Sequence, residues 1–492
     1  MGDREQESEA GHTSRIQINP GSFLRCLSVV AWKEVRQLFL LAGPLILSQV
    51  MIYSLNFISS AFSGHLGKYE LGAVSLATSV ISVTGVAVGT GLSMACDTLI
   101  SQTYGSKKLR QIGVILQRGI LILIIFCCPC WALFINTEKI LLATKQHPEV
   151  ARGSAWANVI SQYSQNIILF TYIHCRKLHL PTWGGWTMDC LQEWGPFLRL
   201  AIPSMFMFCI ELWAYEMGSF LAGLISQVEL GAQSIIFQVL TVLYMTHVGI
   251  GMAAGVHVGM ALGGGDPQQA KISAMTAIIC AGCVALFLMT LLLGLKDLVA
   301  KIFTSDRQIV DLVSRTIPIV APVHLSDAIG SGVASGIVRG AGKQKIGAVA
   351  NLVVFYIVGI PVGISLMFTA KLGILGLWTG LALGTFLLSS LLLTLLFRMN
   401  WATAAQEAQE RTGLRKGTGP SRIASGFDLV EDGASTLSQG QEEPYQLEHT
   451  VLIASNPAVG ILSPVQLLIR RGLAVVAGLV VLAVGITFHF TV

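Results

Sequence analysis

Glu70-Leu-Gly-Ala73 recurs as Glu229-Leu-Gly-Ala232, an offset of 159 residues. The same offset carries Pro44 to Pro203 and Gly64 to Gly223. Each copy runs into a long apolar stretch, with Gly89-Thr90-Gly91 answered by Gly249-Ile250-Gly251 after a shift of one residue. Each then reaches a small polar turn, Gly105-Ser-Lys-Lys108 or Gly264-Gly-Asp-Pro267, and enters a third apolar stretch. A period this long is a duplicated half-protein and not a solenoid of short units. Duplicated halves in a membrane protein point to a transporter with its cavity between them.

Composition supplies the membrane. Apolar residues make up 53% of the 492 and charged residues 12%, against about 25% charged in a soluble domain. Such a chain cannot cover itself with polar surface and requires a lipid bilayer. The net charge of +5 is a small basic excess in short loops, with no nucleic-acid signature. Runs of roughly 17–25 apolar residues mark spans. They fall at 37–62, 70–98, 112–135, 154–174, 196–225, 229–262, 271–295, 309–337, 345–369, 371–397 and 470–490. With the N-terminus inside, the outer loops hold only Lys68, Lys139, Lys145, Arg152, Lys296, Lys301, Arg307, Arg315 and Lys371 of the 32 basic residues. That bias predicts a cytoplasmic N-terminus and, with eleven spans, an extracellular C-terminus.

The predicted fold class is all-α: a polytopic membrane protein with two homologous helical lobes, of four and six spans, and an extra C-terminal span. Residues 1–35 read as a polar cytoplasmic tail without a cleavable leader. The first lobe covers 36–175, a cytoplasmic inter-lobe loop 176–194 and the second lobe 195–398. Residues 399–468, rich in Gln, Glu, Gly and Ser, read as a disordered cytoplasmic linker, and 469–492 as the last helix. The span at 371–397 resembles 154–174 in its small-residue start. The first half therefore lacks its fourth and fifth helices, near Arg152 and Gly153, and losing a pair preserves the orientation downstream.

Catalytic and metal signatures are missing from the sequence. The ten cysteines lie in or beside apolar runs, and Cys127-Cys-Pro-Cys130 matches no zinc spacing. Gly263-Gly-Gly-Asp266 lacks the Lys-Ser/Thr of a phosphate-binding loop. The reading is no enzyme, no cofactor and no metal.

An ionisable group inside a span is costly and is a functional candidate by default. The span 196–225 holds Glu211 and Glu216. Five residues at about 100° each put them about 140° apart, so they cannot share one face. Pro203, eight residues before Glu211, removes a backbone hydrogen bond and can bend the helix. Asp327 follows His324 by three residues, on one helix face, and such a pair can exchange a proton. Asp97 ends its span and reads as an interfacial cap. Trp213, Tyr215, Tyr244, Tyr356 and Trp378 are candidates to line a cavity, since aromatic faces beside carboxylates hold organic cations. Packing is the plainer role for each ring. Gln49 and Asn56, seven apart in the first span, also lie nearly on one face.

Four stretches carry a resemblance. Gly64-His-Leu-Gly-Lys-Tyr-Glu-Leu71, Ala95-Cys-Asp-Thr-Leu-Ile-Ser-Gln-Thr-Tyr-Gly105, Glu211-Leu-Trp-Ala-Tyr-Glu216 and Arg339-Gly-Ala-Gly-Lys-Gln-Lys345 resemble the mammalian branch of the multidrug and toxin extrusion (MATE) family. The resemblance implies two six-helix lobes around a cavity and exchange of protons for small organic cations by alternating access. It implies proton and cation roles for Glu211 and Glu216. Asp327 stands where the mammalian pattern has Glu, and Gln238 where it has an acid. It also implies twelve core helices, of which two are missing here, and residence in the plasma membrane. A shortened, non-transporting chain acting as an interaction or dominant-negative partner is the rival expectation. A lipid or oligosaccharide flippase ranks below both, because it would need cavity arginines that the spans scarcely hold.

Overall fold

The computed structural model describes residues 20–66, 82–136, 167–168, 170–413 and 464–491. The principal helices are α1 (Pro20–Leu66), α2 (Ser82–Gly105), α3 (Leu109–Ile135), α4 (Trp194–Ile225), α5 (Gln227–Gly263) and α6 (Pro267–Gly294), then α7 (Arg307–Gly340), α8 (Gln344–Thr369), α9 (Ile374–Arg398), α10 (Trp401–Arg411) and α11 (Pro464–Thr491). Among the described residues, ten helices are long and apolar enough to cross a membrane. The chain is a multi-pass helical membrane protein. Most of the predicted span 154–174, the first copy of the repeat motif at 70–73, and residues 414–463 lie outside the described residues.

Local chemistry sets the helix starts. The Ser226 hydroxyl accepts from the Glu229 amide (3.1 Å) to open α5. Asp266 does the same for α6 through the Gln269 amide (2.9 Å), with Pro267 in the first turn. The Glu229 carboxylate then reaches across to accept from the Ile374 amide (2.8 Å) at the start of α9. An acid there complements the positive end of the helix dipole. The repeated Glu-Leu-Gly-Ala thus stitches the entrance of one half's second helix to its last helix. Gly373, at φ +59°, supplies the left-handed turn just before α9.

The two halves interlock. Each half's second helix crosses the other half's first helix. A Cβ at Gly91 of α2 would fall on the backbone of Met205 in α4, and one at Gly249 of α5 on the backbone of Ile46 in α1. Ile46 and Met205 are themselves 159 residues apart, the repeat offset. The helices α2 and α5 also meet directly. A Cβ at Gly105 would strike the Met260 carbonyl, and one at Gly263 the Gln102 carbonyl. Small residues allow this approach where lipid offers no hydrophobic drive to association.

Packing therefore departs from the sequence partition into lobes. Leu38 and Ala42 of α1 belong to the large core built by α4–α10. Trp194, Phe197, Leu200 and Ala201 of α4 belong to the smaller core of α2 and α3. The predicted tail 1–35 is also corrected over its last part, because α1 begins at Pro20. Glu34 is buried, and its carboxylate accepts from Gln269 (2.6 Å) and Ser273 (3.0 Å) of α6. Finally, the predicted linker 399–468 is helical at its start. Asn400 caps α10 through the Ala402 and Thr403 amides, and Trp401, Ala404, Ala405 and Ala408 form one buried stripe. The polar composition concealed an amphipathic period of three to four. The last helix starts at Pro464, a turn before the predicted 469. It packs on α3, where Asn136 donates to the Gly485 carbonyl (2.9 Å), and Arg471 lies 4.2 Å over the Trp194 ring.

A Gly263→Ala exchange is expected to destabilise the fold by about 1–3 kcal/mol through overpacking. Gly43→Ala, where a Cβ meets nothing within 4 Å, is expected to be neutral. Heating each purified variant and following the monodisperse fraction checks this; equal loss in both would contradict the close α2–α5 crossing.

Candidate functional site

The second half carries the polar centre. Glu211 sits midway along α4, eight residues beyond Pro203. One of its carboxylate oxygens accepts from the Tyr244 hydroxyl of α5 (3.1 Å). The other accepts, more weakly, from the Asn351 amide of α8 (3.4 Å). Asn351 also donates to the Met207 carbonyl (2.7 Å), which locks its amide against α4. Three helices thus converge on one carboxyl.

Asp327 enters from α7 and is buried. Pro318 and Pro322 precede it, and the helix widens to a π-helical turn over Ala328–Ala334 directly after it. Proline and π-turns are the usual causes of a re-aimed helix face. Asp327 and Glu211 lie within each other's electrostatic reach. The Ser331 hydroxyl neighbours both carboxyls, and the Tyr215 hydroxyl neighbours Asp327. Neither hydroxyl completes a hydrogen bond, and one Asp327 oxygen is also unpartnered. The Arg339 guanidinium donates to Ser335 (2.9 Å) and lies within the electrostatic reach of Glu211 and of Asp97 of α2. Two buried acids, Glu211 and Asp327, therefore share a low-dielectric interior with an arginine that Asp97 also neighbours. An unmatched charge there is expensive, so the surplus carboxylate calls for a proton or a cation.

The predicted residues separate into groups. Glu211, Asp327, Tyr244 and Tyr215 come together. The Tyr215 ring lies 6.1–6.2 Å from those of Phe237, Phe355 and Trp378, tilted against the first and last and edge-on to Phe355. Trp378 itself is fully buried, and its indole donates to Gln233 (2.8 Å). It is a support behind Tyr215, which corrects its placement on a cavity wall. Glu216 is buried on a different face of α4. Trp213 donates to the Val83 carbonyl of α2 (3.2 Å), bridging the halves. Gln49 points at the Met252 sulfur of α5 (3.4 Å). Gln238 is half-buried on α5 and Tyr356 half-buried on α8; the Asn56 side chain lies outside the described residues. His324 does not pair with Asp327 as its spacing suggested. Its ring meets His247 of α5 edge-on at 5.1 Å, both rings being buried.

Sequence reasoning passed over Asn351, Ser331, Gln233 and His247 and took Arg339 only as part of a motif. A lone Asn in the apolar run 345–369 was the one local signal available. Among the described residues, no group of three or more His, Cys, Asp or Glu side chains is arranged to hold a metal ion.

The MatE family model matches residues 44–177 and 203–364, two copies whose starts are again 159 residues apart. The chain belongs to the MATE family. Multidrug and toxin extrusion protein 2 of Mus musculus is 43% identical, with 92% of this chain and 91% of the relative covered. Protein 1 of Homo sapiens is 41% identical, with 95% of each covered. The crystal structure of the eukaryotic MATE transporter AtDTX14 aligns with a TM-score of 0.73 at 26% identity, over 78% of this chain and 99% of that one. A mutant of the Vibrio cholerae MATE transporter VcmN shares the fold, with a TM-score of 0.58 at 14% identity over 77% and 98%.

The MATE alignments also bear on length. Against mouse protein 1 the alignment runs over 559 positions, more than the 492 residues of this chain, while covering 98% of both. The relative therefore holds internal stretches that this chain lacks. The first family match is also the shorter of the two.

Trp378→Phe leaves the buried Gln233 amide without its donor and is expected to cost about 1–3 kcal/mol. A lower thermal midpoint in detergent is the expected result. An unchanged midpoint would remove the bond from the list of supports for Tyr215.

Proposed function

We propose that this MATE protein exports small organic cations in exchange for protons by alternating access. The observation that carries the reading is the convergence of α4, α5, α7 and α8 on the neighbouring carboxyls of Glu211 and Asp327. Because Arg339 is shared with Asp97, Glu211 and Asp327 carry surplus negative charge that a proton or an organic cation offsets, and the site is costly with neither bound. Proton and cation then compete for the same charge, which is the logic of an exchanger. Tyr244 and Asn351 hold Glu211 in place, and Tyr215 offers a ring face beside Asp327 for a cation. Glu216, buried on another face of α4, is the third acid of proton coupling and cation binding. Gln238 carries no charge where the resemblance called for an acid, so the coupling falls to these three acids. The names of the relatives, multidrug and toxin extrusion proteins 1 and 2, support export of foreign compounds. Rocking of the interlocked halves alternates access. The basic-residue bias supports a cytoplasmic N-terminus and an extracellular C-terminus, and the family resemblance supports the plasma membrane.

A second reading has its own observation. Between α2 and α3 an apolar, half-open groove of about 230 Å³ is lined by Gly85, Val86, Gly89, Phe126, Cys127 and Trp131. The corresponding surface of the second half, on α5 and α6, is covered by α7, whose Ile329 comes within 4.0 Å of a Cβ on Gly282. Among the described residues no helix takes the place that α7 holds in the second half. A chain with an open first-half wall would bind partners or relatives without transporting.

Tetraethylammonium uptake into cells with an acidified cytosol and alkaline medium separates the two readings. The exchanger gives uptake that collapses when the proton gradient is dissipated, and Glu211→Gln or Asp327→Asn lowers it at least about tenfold, a loss of roughly 1.4 kcal/mol or more. Undiminished exchange in Glu211→Gln would overturn the role given to that carboxyl. No uptake, with normal surface delivery, favours the second reading, and inserting two helices after Arg152 should then restore transport.

A further inference from the structure

The helix α10 and the turn after it join both halves at one end of the bundle. Glu407 sits between two cations. Lys343, in the turn before α8, contacts both of its carboxylate oxygens at 2.7 Å. Arg411, one helical turn further along α10, donates to Glu407 at 3.1 Å. The other arm of the Arg411 guanidinium donates to the Gln102 side chain of α2 at 3.0 Å. Gln102 is fully buried and passes the connection on, donating to the Gly340 carbonyl at the end of α7 (2.9 Å). Beside it, Thr98 of α2 donates to the Arg339 carbonyl (3.0 Å) and receives the Gln344 amide of α8 (3.0 Å). Lys108, ahead of α3, donates to the Thr412 carbonyl (2.9 Å). Gly342, at φ +74°, has no Cβ because the Arg411 guanidinium occupies that space. Burial lowers the pKa of Arg411 and the adjacent Glu407 opposes this.

These bonds have a common direction. The bonds of Thr98, Gln102 and Lys108 run from the first half to the second half or to α10, and Glu407, held by Lys343, fixes the Arg411 guanidinium that reaches Gln102. They lie at the end where α2 and α5 cross through Gly105 and Gly263, so they reinforce a seal already made by the backbones. The apolar stripe of α10 anchors the helix on α5 and α6, leaving its polar side to reach across.

We propose that α10 is a latch, with Glu407 as its pin, which holds the two halves together at this end and so favours the state closed there. On the orientation proposed above, this is the cytoplasmic end. The inference rests on the alternating-access reading for its consequence in transport, but the latch itself is a statement about distance between the halves. Without Glu407, Lys343 and Arg411 face one another, with exposed Glu410 as the acid that remains near Arg411. The halves then separate more readily at this end, and the resting population shifts.

Spin labels on Arg110→Cys and Lys345→Cys, exposed residues of the first and second half, in a background without other reactive cysteines, report the gap by pulsed electron resonance. The expected result is about a fivefold rise in the separated population for Glu407→Gln, in keeping with a half-exposed ion pair. Glu410→Gln removes the same charge from the same helix and should leave the distribution as in the parent. Identical distributions for all three, with each variant monodisperse, would overturn the latch. An equal rise in both variants would make it a matter of net charge and overturn it as well. Because the readout is a distance, a chain that moves no tetraethylammonium still tests the latch, and a latch that fails leaves the exchange reading intact.

Discussion

Backbone contact between helices at glycine is the constraint on which the rest of this structure depends. The helix α5 is the centre of it. Gly251 and Gly255 meet Gly332 and Gly336 of α7 so closely that none of them can carry a Cβ. Further along, Gly259 and Gly263 receive Ser101 and Gln102 of α2 in the same way. In a bilayer, lipid tails solvate an apolar helix as well as another helix does, so shape and close approach decide which helices associate. Widening any of these crossings by a methyl group would move α7 or α2 outward, and with them Asp327 and the bonds at Gln102.

That close packing determines what the polar groups can do. Asp327 belongs to a helix pressed against α5, and Glu211 is reached by Tyr244 from α5 itself. Their separation is thus set by glycine contacts one to three turns away. The prolines and the π-turn of α7 allow the same helix to be both tightly packed and redirected around its acid. The polar centre is sparsely satisfied, with Ser331, Tyr215 and Asp327 all retaining unmade bonds. By contrast, the latch end is richly bonded. Open bonding capacity suits the proposed exchange site, while the proposed seal uses its capacity up.

Much of the fold was legible in the chain, and for definite reasons. Spans announce themselves because twenty apolar residues have no other use, and Trp194–Ile225, Gln227–Gly263 and Ile374–Arg398 start within three residues of expectation. The duplication was legible because Pro44, Gly64 and Glu70 recur at one offset. Glu211 and Asp327 were legible because a charge in such a run stands out. Less visible were Asn351, Ser331 and His247, whose polarity is mild and whose partners are distant in sequence. The α10 helix escaped because its alanine stripe is short and its other residues are those of a solvated linker.

The sequence by itself determined the membrane class, the doubled plan, the shortened first half and the acids within the spans, since each depends on composition or period within a stretch of chain. It could not determine which half a helix packs into. Only the tertiary structure placed α1 in the second half's core and the N-terminal part of α4 in the first half's. Only it turned His324 toward His247 instead of Asp327, and Trp378 from wall to support. The physical reason is that periodicity says which face of a helix is apolar or small, while the partner for that face is chosen by shape across hundreds of residues, where Gly91 meets Met205 and Gly249 meets Ile46.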